Sequence, residues 1–365
     1  MADDRKKRAE KLAAEGIEKY GQFAAITGST RVKTTFYSSG SPTLDYMLGT
    51  GGFPSNGFVE VFGPPEIGKS TIFISGVLAS VQRAGGITAI IATEPNVDED
   101  WLARHGVNPD YNVVYRPDTG EDAFEILKDL VFNRRVDYFG FDSIAGISSA
   151  KAQDSDKPQA FGNAALIANG INNVRSAAYK NNVGGIFINQ IRDLKNPKGL
   201  PMVKPPGGWA VKHAAGIRLQ IKPGKNKTAI KVPSSDNKGG GATEDLIIGK
   251  EIRVVIDKDN YAEQLGSQAV FWFYHIEAPD YPFGIDYFTD LFNIAKVTGV
   301  ITGAGWLNHE VFPDGKIQGA PAAKRYLEDN PKAAEQIQKE VTAIMHKRED
   351  QAQRAAASQK KADKT

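Results

Sequence analysis

The 365-residue chain has no cysteine, which excludes disulfide bridges, thiolate metal sites and cysteine nucleophiles. Its five histidines are scattered and none falls at HxxxH spacing, so no zinc site is apparent and magnesium is the metal to expect, if any. No apolar run is long enough to span a bilayer, which argues against a membrane partner. The opening twenty residues are charged (Asp3, Asp4, Arg5, Lys6, Lys7, Arg8) and lack a hydrophobic signal region, which favours the cytoplasm. A net charge of +2 is too small to identify a nucleic-acid partner, so any such argument must come from local clusters. What the chain does hold is 41% hydrophobic residues, enough for one substantial core and a smaller appended domain.

The most informative segment is Gly63-Pro64-Pro65-Glu66-Ile67-Gly68-Lys69-Ser70, which follows the apolar run Phe58–Phe62 and precedes a helix-like stretch opening with Thr71. The spacing GxxxxGK[ST] lets backbone amides curl around a phosphate while a helix start aims unpaired amides at the same anion. Lys69 is then placed to reach the β and γ phosphates of a nucleoside triphosphate, and Ser70 to offer a hydroxyl to magnesium. The competing reading is a glycine-rich turn that binds nothing; strand, loop and helix in this order favour the phosphate cradle.

Strand-like segments at 58–62, 87–92, 112–115, 136–141 and 184–189 alternate with helix-like segments at 69–84, 98–105, 120–134 and 161–181. This βαβ order predicts an α/β fold with a largely parallel twisted sheet. Segments 217–221, 252–256 and 268–274 extend it with antiparallel members, and a small C-terminal domain begins near 284. A short charged helix occupies the N-terminus. Residues 348–365 are polar and basic, with too few apolar side chains to offset ordering entropy, so disorder is expected there.

In a parallel sheet the strand ends collect beside the phosphate loop. Glu94 follows one strand and can orient or deprotonate a water; its alternative is a helix cap. Asp142 ends another, where a carboxylate holds magnesium through water, against an ordinary strand-end acid. Gln190 ends a third, able to hydrogen-bond a γ phosphate and standing at the root of a basic stretch. That stretch carries Arg192, Lys195, Lys198, Lys204 and Lys212 against Asp193, with prolines and glycines, Gly207 and Gly208 among them, that argue for a loop without regular structure. A second cluster, Lys222, Lys225, Lys227, Lys231 and Lys238, reads as an exposed excursion between strands. Composition leaves both clusters open between a solvated surface and a phosphate contact.

Several blocks together resemble RecA-type homologous recombinases, the bacterial RecA and phage UvsX-like proteins, over roughly residues 8–345. They are Ser39–Asp45 with Leu48–Pro54, Val59–Ser70, Pro117–Glu121, Phe141–Ala145, Phe187–Arg192 and Gly207–Lys212. The resemblance implies an N-terminal helix and polymerisation segment over 1–34, a RecA-type P-loop ATPase core over 35–280 and a C-terminal domain over 281–347. It implies a DNA-dependent ATPase that uses ATP and Mg2+. Such a protein forms helical filaments on single-stranded DNA and exchanges strands with homologous duplex DNA in recombinational repair. By the same resemblance Glu94 is the catalytic glutamate, Asp142 the Walker B acid and Gln190 the γ-phosphate sensor. Trp101 matches an aromatic stacked on adenine, with Asp98 nearby, and Lys212 and Lys258 match lysines that reach a neighbouring subunit's ATP. Residues 151–162 and 191–207 match two DNA-binding loops. Asn260 departs from the pattern, standing where a second trans-acting lysine is expected. The alternatives are a DNA-coating scaffold with little turnover, or a ring ATPase or helicase on the same core.

Overall fold

The computed structural model describes residues 2–20, 34–94, 97, 99–147, 160–195, 201–204, 208–233, 243–262, 264–279 and 281–362. After α1 (Ala2–Tyr20), short strands β1 (Phe36–Tyr37) and β2 (Phe53–Pro54) pair antiparallel. Between them in sequence lies α2 (Pro42–Leu48), capped by Ser41, which accepts the Leu44 amide, and ended by Gly49 at φ 78°. Strand β3 (Phe58–Gly63) is buried along its whole length and leads through the glycine loop to a π-type turn, Ser70–Ile74, and then α3 (Ser75–Arg83).

The alternation continues with β4 (Thr88–Ala92), α4 (Glu99–Arg104), β5 (Asn112–Tyr115), α5 (Gly120–Phe132), β6 (Tyr138–Asp142), α6 (Ala160–Asn181) and β7 (Gly184–Gln190). Next come β8 (Arg192–Lys195), β9 (Pro201–Lys204), α7 (Gly208–Ala214), β10 (Ile217–Pro233), β11 (Thr243–Asp259), β12 (Gln268–Tyr274) and β13 (Gly284–Ile285). The C-terminal lobe holds α8 (Tyr287–Thr298), β14 (Trp306–Asn308), β15 (Lys316–Gln318), α9 (Ala320–Asp329) and α10 (Pro331–Ala362).

Nine strands form one sheet in the order β13-β12-β11-β10-β3-β7-β6-β4-β5. The run β10-β3-β7-β6-β4-β5 is parallel, and β11, β12 and β13 add antiparallel to its β10 side. This is the α/β core with a mixed, mostly parallel sheet that the βαβ order predicts. The apolar strands are buried on both faces, as helices on either side of a parallel sheet require. One face packs Val59, Val61, Ile188 and Leu219 against Phe73, Val77 and Leu78 of the loop-helix unit. The other packs Phe58, Phe139, Phe141 and Phe187 against α5 and α6, each buried ring contributing about 1.5–3 kcal/mol. Gly185 makes that packing possible: a Cβ there would stand 2.1 Å from the Phe139 ring. A third apolar cluster, around Leu291, Leu327, Ile337 and Val341, is the core of the C-terminal lobe.

Three expectations are corrected. The basic stretch after Gln190 is not irregular throughout: β8 and β9 pair in antiparallel register from Arg192↔Lys204 to Lys195↔Pro201, and Gly208 opens a helix. Pro201 stands at the first residue of its strand, where a missing N–H is tolerated. Of the second basic cluster, Lys222, Lys225, Lys227 and Lys231 are on strand β10, and Lys238 lies outside the described residues. β10 and β11 remain paired out to Pro233↔Thr243, and Pro223 and Gly224 sit at a register shift where Glu251 accepts the Lys225 amide and Asn226 Nδ2. The C-terminal run is helical through Ala362 rather than disordered, since its Ala, Gln, Lys and Arg residues are strong helix formers that extend a helix already nucleated by packing.

Candidate functional site

The carboxyl ends of β3, β4, β6 and β7 converge on a cavity of about 630 Å3. Residues Glu66 (φ 57°) and Gly68 (φ 93°) take left-handed backbone, which turns the glycine loop back on itself. Gly68, Lys69, Ser70, Thr71, Pro65 and Glu66 line the cavity, whereas Ile67 packs into the core. Gly63 ends β3 directly opposite Gln190 of β7, and the Ile191 amide donates to the Gly63 carbonyl over 3.2 Å. Pro64 offers its carbonyl to Lys69 Nζ at 2.5 Å. Lys69 is 6% exposed, and burial lowers its pKa, with Asp142 and Glu94 acting the other way.

Asp142 faces the loop from the end of β6. Burial raises its carboxyl to about 6 despite a hydrogen bond from Ser70; Glu94 raises it further and Lys69 lowers it. Among the described residues no group of three or more His, Cys, Asp or Glu gathers to cage a metal. Ser70 and Asp142 are hard oxygen donors joined to each other in a cavity lined by a phosphate-type loop. That donor set fits magnesium, which takes most of its ligands from phosphate and water.

Glu94 Oε1 accepts hydrogen bonds from Ser143 Oγ (2.5 Å) and Gln190 Nε2 (2.9 Å). Thr93 Oγ1 bridges the same turn, donating to the Ser143 carbonyl and accepting its amide. Thr93 and Ser143 were not singled out in the sequence, although Ser143 is the immediate neighbour of Asp142. Trp101 of α4 lines the mouth of the cavity. Its ring lies 4.1 Å from that of His105, whose Nδ1 is 2.8 Å from the Trp101 carbonyl, and a second hollow continues past Phe273 and Phe283. His105, four positions after Trp101, was also missed although that spacing brings side chains together on a helix, whereas Phe273 and Phe283 come from distant segments. Asp98 lies outside the described residues.

Lys212 and Lys258 do not reach this cavity. Lys258 pairs in register with Arg218, and Arg218 with Glu60 near the start of β3, which puts the lysine toward the opposite edge of the sheet. There Lys258 Nζ donates to the carbonyls of Lys212 (3.1 Å) and Ala215 (2.6 Å), closing the end of α7. Between the two edges runs a buried polar chain. Asn189 Nδ2 donates to Glu60 Oε1 (2.9 Å), and Arg218 Nε donates to Glu60 Oε2 (2.6 Å) and, through Nη1, to Asp257. Of the proposed DNA contacts, Arg192, Lys195 and Lys204 fall on the β8–β9 hairpin and Gly208 on the first turn of α7. Lys198, Gly207 and most of residues 151–162 lie outside the described residues.

The RecA N-terminal domain model matches residues 8–266. A protein named Protein RecA from Streptococcus gordonii is 31% identical over 93% of this chain and 85% of its own length. Those of Streptococcus pyogenes serotype M49 (30%, covering 99% and 92%) and Streptococcus equi subsp. equi (31%, covering 97% and 90%) are similar to a like degree. With the phosphate loop, three converging strand ends and a match running nearly end to end, the chain belongs to the RecA family.

Proposed function

We propose that this chain is a DNA-dependent ATPase of recombinational repair. It forms helical filaments on single-stranded DNA, pairs them with homologous duplex DNA and exchanges strands in the cytoplasm. The observation that carries the reading is the placement of Gln190. Its amide touches Glu94 within the cavity, and two residues later the chain enters the lysine- and arginine-bearing β8–β9 pair.

The glycine loop and Lys69 hold the β and γ phosphates of ATP, and Trp101 offers a flat face to the adenine, with Asp98 beside it. Ser70 and Asp142 would hold Mg2+, which neutralises charge on the phosphates when bound. Glu94 orients the attacking water and takes its proton. Gln190 Nε2 donates to one of the Glu94 oxygens. A γ phosphate competes for the same amide hydrogens, so Gln190 turning toward it frees Glu94 and pulls on the root of the hairpin. Nucleotide state is thereby linked to the order of the DNA-contacting Arg192, Lys195, Lys198, Lys204, Gly207 and Gly208. Lys212 and Lys258, at the far edge, act on the nucleotide of the next protomer, so the site is complete only in the polymer.

The test is phosphate release with and without single-stranded DNA, in wild type and in Glu94→Gln, alongside electron microscopy with a nonhydrolysable ATP analogue. DNA-stimulated turnover lost in Glu94→Gln and nucleotide-dependent helical filaments are expected. Rings, or a rate indifferent to both DNA and the substitution, would overturn the reading. Asn260, at a position where a trans-acting lysine is expected, favours one second reading: an ATP-gated coat with little turnover. Filaments that assemble with ATP yet release almost no phosphate would select it.

A further inference from the structure

Asn260 leaves the trans-acting edge one cation short of the pattern that the resemblance implies. The structure puts another cation beside it. Asn260 follows β11, its amide donating to the Gly216 carbonyl over 3.0 Å, and it lines a cavity of about 510 Å3. Across that cavity stand Arg175 and Tyr179 of α6, with Tyr261 between the two sides.

Helix α6 is a firm platform for Arg175. Ile171, Val174 and Ala178 are buried against the aromatic face of the core, and Arg175 lies on the outward side, exposed. Among the described residues Arg175 has no carboxylate partner. Glu60 and Asp257 hold Arg218, and Asp259 accepts the Tyr261 amide through Oδ1 while its buried Oδ2 has no partner among the described residues. Burial lowers the pKa of Lys258 most, then Arg175, Arg218 and Lys212 lower it further, with Glu60 acting the other way. Arg175 thus puts an exposed guanidinium on the same cavity as Asn260 and within electrostatic reach of Lys258, where an incoming anion would meet both cations.

We infer that Arg175 is the second cation this chain delivers to the triphosphate of the adjoining protomer, taking the part that Asn260 does not fill. A guanidinium suits the task because its planar fork can donate two parallel hydrogen bonds to phosphate oxygens, which a lysine cannot do. The inference rests on the proposed trans action of Lys258.

The test uses full-length protein, single-stranded DNA and ATP. Arg175→Ala is expected to lose about a thousandfold of its DNA-stimulated turnover, the lower end of what an arginine finger supplies. Its affinity for a fluorescent ATP analogue, measured on unpolymerised protein, is expected to stay within about twofold, since the cation belongs to the neighbour's site. Mixed one to one with Glu94→Gln, Arg175→Ala is expected to regain phosphate release above the sum of the two alone. On random mixing an intact arginine meets a sound cavity at one junction in four. Arg175→Lys should retain part of the rate, and Asn260→Lys should restore it in the Arg175→Ala background.

Lys258→Ala in the same mixture is the control. If Lys258→Ala is rescued by Glu94→Gln but Arg175→Ala keeps wild-type turnover, or loses it without rescue, the Arg175 assignment fails alone. If neither is rescued, the trans reading beneath both fails. A tenfold loss of nucleotide affinity in unpolymerised Arg175→Ala would place the arginine in its own subunit's site and also overturn the inference.

Discussion

Asp290 of α8 accepts a hydrogen bond from Ser41 Oγ over 2.6 Å, tying the C-terminal lobe to the cap of α2 across 249 positions of sequence. The Thr43 amide and hydroxyl donate to the same carboxyl. Close by, Asp45 is held by Ser38 Oγ and by the amide and hydroxyl of Ser39.

Burial, against the pull of these donors, raises Asp45 to about 7 and Asp290 to about 6, from ordinary carboxylate values of about 4. Between the unfolded and folded pKa values the native state binds more protons, so stability falls as pH rises. The contribution is whole below pH about 4 and is lost progressively up to about 7. Urea unfolding at pH 5 and pH 8 should show wild type losing more stability between them than Asp290→Asn does. An equal slope in the two proteins would remove Asp290 from the account.

Lys69→Ala should abolish binding of nucleotide while leaving the fold in place. The side chain is anchored by one hydrogen bond to the Pro64 carbonyl and shares the cavity with Asp142 and Glu94, so its removal deletes the cavity's cation without opening the apolar core. Calorimetric titration with ATP reads the loss, and circular dichroism checks the fold. Retained affinity would contradict the role of the loop.

Gln190→Ala separates binding from response. The variant should keep ATP affinity, because the glycine loop and Lys69 are intact, and lose the ATP-dependent gain in single-stranded DNA affinity. Fluorescence anisotropy of a labelled oligonucleotide, with and without a nonhydrolysable analogue, measures both states. DNA affinity unchanged in both would dispose of the coupling.

Arg218→Met should cost about 3–5 kcal/mol in urea unfolding, because it leaves Glu60 charged inside the sheet with Asn189 as its remaining donor. The pair is 6% and 1% exposed, so solvent screens it little. Adding Glu60→Gln to that variant should recover a good part of the loss. A double variant no better than the single would show that packing on the Phe62 ring, rather than charge, sets the cost.

The parallel half of the fold was legible because each of its strands is a compact apolar run between helical periods, a signal local to a few residues. The glycine loop was legible for the same reason. Positions such as Glu94, Asp142 and Gln190 could be placed at strand ends, and the sheet order then brought them around one cavity. The ribbon of β10 and β11 was not legible beyond its base. Its lysines read as an exposed excursion between strands, whereas in the structure the strands continue through a bulge at Pro223 and Gly224 that Glu251 satisfies. Arg175 carried no signal at all: on the polar side of a long helix it resembles any solvated arginine, and its meaning comes from β11 lying opposite. Ser143 was missed because a turn brings its partner Glu94 to it from 49 positions away, which no residue spacing encodes, while the i, i+4 spacing of Trp101 and His105 was a signal left unused.

The pairing of Gly63 with Gln190 ties the proposed sensor to the alignment of β3 and β7. Side chains along a strand alternate between faces, so drawing β7 back by a single position would put Gln190 where Asn189 now meets Glu60 and take its amide away from Glu94. On the proposed reading such a molecule would keep its phosphate loop and still be deaf to the nucleotide it holds.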